Sequence, residues 1–344
     1  MAKVGIPHAL AYYLYYPFWK TFFEKLGHEV VVSTPTTRAI LDRGVEETVN
    51  DACIPIKIYH GHVASLIDQV DYIFCPRLIS VRRHGDFGTE TFCPKFLGLP
   101  DLIRLTFTGA PPIIDTPIDI NQLESKPKSK KDKKRKPAEI MEAACVETGD
   151  RLGNSITQSR AAYQKAAQVH QRFLTLLEQG KLPPEAIDIL FPPENPISYE
   201  LENPEFNLAV VGYPYAIYDH YINVGLLNIL HKENIKVYTQ DTLSDKILNQ
   251  EASELPKSMF WYFSNRAVYG ALYYMKKGYI DGIVHITAFA CGPDSMVDRL
   301  LEIEARRRGK PYLPISIDEH TGESGVRTRV EAFVDMLRYR RDKK

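Results

Sequence analysis

The residues best able to do chemistry in this sequence are its five cysteines, Cys53, Cys75, Cys93, Cys145 and Cys291. Three of them share a local pattern. Cys53 stands in Asn-Asp-Ala-Cys-Ile-Pro, Cys93 in Thr-Phe-Cys-Pro-Lys and Cys291 in Ala-Phe-Ala-Cys-Gly-Pro-Asp-Ser. Proline is favoured in the first turn of a helix, so each of these thiols is expected at a loop-to-helix junction. A helix start offers unpaired N–H groups and positive potential. Both lower a thiol pKa and donate hydrogen bonds to sulfur, which suits the thiolate ligands of an anionic cluster. The competing reading is that a free cysteine is simply a small buried hydrophobe. No Cys-x-x-Cys pair occurs, so the zinc-ribbon and ferredoxin spacings are absent. Cys75 directly follows an apolar strand and is expected in the core or behind a site. Cys145 lies in a helical stretch without special neighbours and is expected in the core.

Other polar residues cluster near these cysteines in the chain. His60 and His62 follow Cys53 closely; each is either a proton or hydrogen-bond donor to a site or an ordinary surface histidine. His285 ends an apolar strand, where chemistry and a core position are equally compatible with its type. Asp318-Glu319-His320-Thr321-Gly322-Glu323 places four ionisable groups within six residues. That run reads as a polar site loop, with Glu319 and His320 as candidates, or as a capping loop for the last helix. Arg77 and Lys95 are candidate counter-charges.

The elements that must position these groups alternate. Strands are expected over residues 2–6, 28–33, 70–74 and 112–115, with helices over 12–26, 36–50, 54–69 and 94–105 and a polar loop from Cys75 to Phe92. The alternation returns with strands at 207–212, 235–239, 280–286 and 311–317. Helices are expected there at 219–231, 260–277, 295–308 and 325–338. Such alternation implies parallel sheets covered on both faces. The halves form a weak internal repeat. Val4-Gly5-Ile6-Pro7 resembles Val211-Gly212-Tyr213-Pro214, and Val70-Asp71-Tyr72-Ile73-Phe74 resembles Ile280-Asp281-Gly282-Ile283-Val284, in the same order. A cysteine follows the later strand of each half, and ligands of open parallel sheets gather beyond strand carboxyl ends.

Four segments follow: an α/β domain at 1–120, a basic linker at 121–138, a helical connection at 139–205 and a second α/β domain at 206–344. The linker carries Lys126, Lys128, Lys130, Lys131, Lys133, Lys134, Arg135 and Lys136. Such a block self-repels and is expected to be disordered and solvated. No matching basic stripe or stacking aromatics occur elsewhere, so nucleic acid is not an expected partner. Over 344 residues the formal charge is zero, which removes any global steering toward polyanions or anionic lipid. No apolar run approaches the ~20 residues of a membrane span. There is no charged leader followed by an apolar stretch. Five scattered cysteines argue against a disulfide framework, and a cytoplasmic setting is expected.

Several motifs together resemble one family. They are Val-Gly-Ile-Pro-His-Ala-Leu (4–10), Tyr-Tyr-Pro-Phe-Trp-Lys (15–20), Asp-Ala-Cys-Ile-Pro-Ile-Lys (51–57) with Tyr-His-Gly-His (59–62), and Phe-Cys-Pro-Lys-Phe-Leu-Gly-Leu-Pro-Asp (92–101). Ala-Phe-Ala-Cys-Gly-Pro-Asp-Ser (288–295) and Asp-Glu-His-Thr-Gly-Glu-Ser-Gly (318–325) complete the set. The chain resembles the 2-hydroxyacyl-CoA (2-hydroxyglutaryl-CoA) dehydratase-like, activase-associated iron–sulfur proteins over nearly its whole length. The resemblance implies two flavodoxin-like α/β domains joined by a helical segment. It also implies one [4Fe–4S] cluster on Cys53, Cys93 and Cys291. A separate ATP-dependent activase would deliver a low-potential electron, and a CoA thioester and a related dehydratase subunit are the other implied partners. The implied activity is that of a lyase or reductase subunit of anaerobic metabolism, or else of a non-catalytic electron carrier. The sequence itself has no phosphate-binding Gly-x-x-x-x-Gly-Lys-Ser/Thr loop.

Overall fold

The computed structural model describes residues 1–82, 84–86, 88–120 and 136–343. Most of the expected basic linker, residues 121–135, lies outside the described residues. Eleven strands run in chain order among those described. They are β1 (Lys3–Ile6), β2 (Glu29–Val32), β3 (Tyr72–Phe74), β4 (Arg77–Arg82), β5 (Glu90–Thr91), β6 (Ile113–Ile114), β7 (Pro117–Asp119), β8 (Phe206–Gly212), β9 (Ile235–Tyr238), β10 (Gly282–Ala288) and β11 (Tyr312–Ile317).

Two four-stranded parallel sheets carry the fold, ordered β2-β1-β3-β6 and β11-β10-β8-β9. Numbered within its own sheet, each has the same strand order, 2-1-3-4, as expected of flavodoxin-like units. The repeat seen in sequence therefore lies in the topology: β1 corresponds to β8 and β3 to β10. The central strands are apolar because both faces are covered. All seven residues of β10, Gly-Ile-Val-His-Ile-Thr-Ala, are buried, including His285.

Three helices, Pro137–Arg151, Ile156–Glu178 and Pro183–Leu190, join the halves. Ile156–Glu178 starts at a Ser155/Gln158 capping box. It packs on the aromatic helix Tyr12–Lys25, where Phe22, Phe23 and Phe173 are fully buried. Pro183-Pro184 opens the helix Pro183–Leu190, where a missing N–H costs nothing.

Three further differences bear on the site. The expected polar loop after β3 contains β4 and β5, which join β7 in a small third sheet. The expected helix 94–105 is two helices, Pro94–Leu97 and Leu99–Thr106, divided at Gly98. The expected helix 219–231 is a short helix Pro214–Tyr218, a turn, and Leu226–Lys232. There the Asp219 carboxylate accepts from the N–H groups of Tyr221 and Ile222 at 2.9 and 3.0 Å, an arrangement that competes with helix.

The helix Ile54–Leu66 crosses Arg38–Glu47 at nearly touching backbones. A Cβ on Gly44 would stand 1.8 Å from the Lys57 carbonyl oxygen, and one on Gly61 1.9 Å from that of Ile40. Only glycine permits this approach, which fixes the direction of the helix that begins at Cys53.

Candidate functional site

Cys53, Cys93 and Cys291 are each the N-cap of a helix: Ile54–Leu66, Pro94–Leu97 and Gly292–Arg307. Each helix has proline in its first turn, and none of the three cysteines makes a side-chain cap bond. All three are half-buried free thiols. They stand together. The charge of Cys53 raises the pKa of Cys93, and the charges of Cys53 and Cys93 raise that of Cys291.

Burial is the largest influence on the two shifted thiols. It holds Cys93 above its ordinary range and is the main cause that pushes Cys291 up to about 12. Backbone N–H groups of the first helical turn act in the opposite direction, Phe96 and Lys95 on Cys93 and Asp294 on Cys291. Ala290, just before Cys291, has φ 61, a left-handed conformation that an alanine seldom adopts. Such strain persists only where the surroundings enforce it.

The third sheet brings Cys93 to this place. Thr91 bridges to Trp261 of the carboxyl-terminal half. The fully buried Glu90 receives bonds from Arg82 and from Asn265 Nδ2 at 2.6 Å. Lys95 donates to the Asp51 carbonyl at 3.2 Å, tying the Cys93 helix to the loop before Cys53. The loop after β11 is held to the Cys53 helix by an ion pair, Lys57 Nζ to Glu319 Oε1 at 2.8 Å, with Lys57 buried. Glu319 lies below its ordinary pKa because of that bond.

A cavity of about 520 Å³ runs along this loop and reaches Ile54, the residue after Cys53 in the chain; none of the three cysteines lines it. Arg38, His220, Glu319 and His320 are among its lining residues. His320 is exposed, and its backbone N–H donates to Asp318 Oδ1 at 2.9 Å.

The other candidates are distributed differently. His60 is buried with Nδ1 2.8 Å from the Ile56 carbonyl and its ring against Phe107. Desolvation lowers its pKa. His62 is fully buried between Ser33 Oγ and Thr36 Oγ1, both 2.9 Å away, and burial depresses its pKa to about 3. Thr36 donates in turn to Asp219, whose carboxyl burial pushes up to about 6. His285 sits behind the Cys291 helix, 3.3 Å from Asp294 and 3.1 Å from Asp298. Desolvation is the largest single influence and acts downward. The two carboxylates together outweigh it and push His285 up to about 9. Arg77 is engaged with Asp101 through two bonds of 2.7 and 2.8 Å. Cys75 is fully buried beside Tyr59 and pushed up to about 12, mainly by desolvation; Cys145 is sealed in the core.

Sequence reasoning missed Asp219, Arg38, His220 and Tyr215. Asp219 falls within the expected helix 219–231, and only its turn reveals it. Tyr215 follows the Gly-Tyr-Pro that echoes Gly-Ile-Pro at residues 5–7, a cue to backbone position that carries no chemical signal.

Among the described residues, no three histidine, cysteine or acidic side chains surround one point closely enough for a single metal ion. No described helix is long and apolar enough to cross a membrane.

A family model for the CoA enzyme activase uncharacterised domain matches residues 3–243, and one for the 2-hydroxyglutaryl-CoA dehydratase D-component matches residues 230–337. No curated protein matches the chain. The first match spans Cys53 and Cys93 and the second spans Cys291, so the three cysteines are divided between two models that together cover nearly the whole chain. The chain belongs to the CoA enzyme activase uncharacterised domain family and, with its dehydratase-like carboxyl-terminal part, to the 2-hydroxyacyl-CoA dehydratase-like proteins.

Proposed function

We propose that Cys53, Cys93 and Cys291 hold one [4Fe–4S] cluster. In this reading the chain takes a low-potential electron from a separate ATP-dependent activase. It serves the radical dehydration or reduction of a CoA thioester, together with a related dehydratase subunit. The observation that carries the reading is the gathering of three half-buried thiols at three helix starts, with the charge of Cys53 disfavouring ionisation of Cys93 and the charges of both disfavouring that of Cys291. Three such thiolates repel one another, and a cationic iron core relieves that repulsion. Loading would release the protons that burial keeps on Cys93 and Cys291. When bound, the cluster would supply one-electron transfer and, at an iron not held by cysteine, a Lewis acid.

This chain's residues do the positioning. The N–H groups of Lys95, Phe96 and Asp294 face sulfur. The Lys57–Glu319 pair keeps the acidic loop against the Cys53 helix, and Glu319, His320 and Arg38 offer the cavity its polar contacts. A cavity of that size, which reaches Ile54 at the start of the Cys53 helix, favours a substrate-handling subunit over a pure electron carrier. Phe289 and Met296, 66% and 63% exposed, flank Cys291 and suit the docking of an electron-donating partner. Five free thiols fit a reducing cytoplasm.

The test is anaerobic reconstitution with iron and sulfide, followed by metal analysis and electron paramagnetic resonance. Alanine at Cys53, Cys93 or Cys291 should remove most bound iron, whereas Cys145→Ser should not. Equal iron in all four variants would refute the ligand assignment. Incubation of the loaded chain with an activase, ATP and a 2-hydroxyacyl-CoA then separates enzyme from carrier by whether an enoyl product forms.

A further inference from the structure

We infer that Tyr215 is a positioning residue of the cysteine site, its hydroxyl donating a hydrogen bond to sulfur of the bound cluster and so setting the cluster's potential. The inference rests on the three-cysteine reading above. Three tyrosines crowd the segment after β8, and their hydroxyls have different fates. Tyr213 bonds Ser264 Oγ at 2.7 Å, and Tyr218 bonds Thr239 and Asp241 at 2.7 and 2.9 Å. The Tyr215 hydroxyl makes no hydrogen bond to the described residues, although the residue is only 5% exposed.

Its placement is fixed by backbone and rings. Gly212 ends β8 with φ 152, and a Cβ there would stand 2.4 Å from the Ile286 carbonyl oxygen of β10. Only glycine allows the chain to turn so closely over the strand that leads to Cys291. The Tyr215 ring is then held by Phe96, from the Cys93 helix, at 6.2 Å, by Phe263 at 6.0 Å and by Tyr213 at 5.7 Å.

The electrostatics agree with this geometry. Burial raises the Tyr215 pKa most, and the charges of Cys291, Cys93 and Cys53 all add to the rise. A phenol hydroxyl without a partner among the described residues, on a ring held against the Cys93 helix, has its O–H free to donate to sulfur. Donors to cluster sulfur stabilise the more negative, reduced state and raise its potential.

The experiment compares Tyr215→Phe with the parent full-length chain after anaerobic reconstitution, reading iron and sulfide per chain, the paramagnetic resonance spectrum and a redox titration. Full iron content, an altered spectrum and a tenfold weaker reduction equilibrium, about 59 mV more negative for one electron, are expected. Tyr213→Phe, whose hydroxyl is committed to Ser264, should leave the potential unchanged. If Tyr215→Phe fails to fold, 3-fluorotyrosine at position 215, a stronger donor of nearly the same volume, should move the potential in the positive direction. An unchanged potential at full iron loading, or the same shift in both phenylalanine variants, overturns the assignment to Tyr215 alone. A parent chain that binds no iron overturns the cluster reading itself, and the Tyr215 role with it.

Discussion

Replacing His285 with glutamine should destabilise the protein strongly at neutral pH and hardly at all in mild alkali. The ring is fully buried between Asp294 and Asp298, with the Tyr312 hydroxyl 3.2 Å from Nδ1. These are the ionisable groups that face it, and together they hold its pKa at about 9 against an ordinary 6.5. The folded value is raised, so the stabilisation is fully present below pH 6.5, where both states carry the proton. Above that the unfolded chain releases its proton while the folded one keeps it, and the contribution is lost as pH rises through about 9. At about 1.4 kcal/mol per pH unit, the whole effect is worth at most about 3.5 kcal/mol. His8 and His170, held by burial at about 4, and His62, at about 3, titrate below this window in the folded state. The assay is urea unfolding of parent and His285→Gln protein at intervals from about pH 6 to about pH 9.5. Taking the difference removes contributions common to both, including the thiols of the unfolded chain, which titrate near the upper end. The gap between the two curves should close with rising pH. A gap that stays constant would mean that His285 contributes packing alone and that no imidazolium is buried there.

Gly61→Ala should destabilise the protein by about 1–3 kcal/mol in denaturant unfolding, because the helix beginning at Cys53 must move off Arg38–Glu47; an unaffected midpoint would contradict the close crossing. Glu319→Gln should cost about 1.5–3 kcal/mol, since the buried Lys57 ammonium loses its charged partner, and Lys57→Met added to it should recover part of the loss. Cys75→Ala should leave iron content near that of the parent while shifting the unfolding midpoint, as expected of a buried thiol beside Tyr59. Iron loss there as severe as in Cys291→Ala would make Cys75 a ligand.

Hydrophobic alternation and turn residues were enough to read two parallel α/β halves, because a strand buried on both faces must be largely apolar, as β8 and β10 are apart from Asn207, His285 and Thr287. Proline just after Cys53, Cys93 and Cys291 was likewise enough to place three thiols at helix starts, since that preference is local. Local signals failed where side chains compete with backbone. Asp219 closes a turn inside a stretch with helical periodicity, and the strands of the third sheet are two to six residues long, too short to show a period. Nor does any local rule bring together cysteines 40 and 198 residues apart. That was decided by the Gly44–Gly61 crossing, by the Thr91–Trp261 bridge that carries Cys93 to the second half, and by the close turn at Gly212. The charge on His285 was equally a matter of tertiary structure. Desolvation alone would have left the ring neutral, and it is the two carboxylates from the helix after Cys291 that keep it protonated.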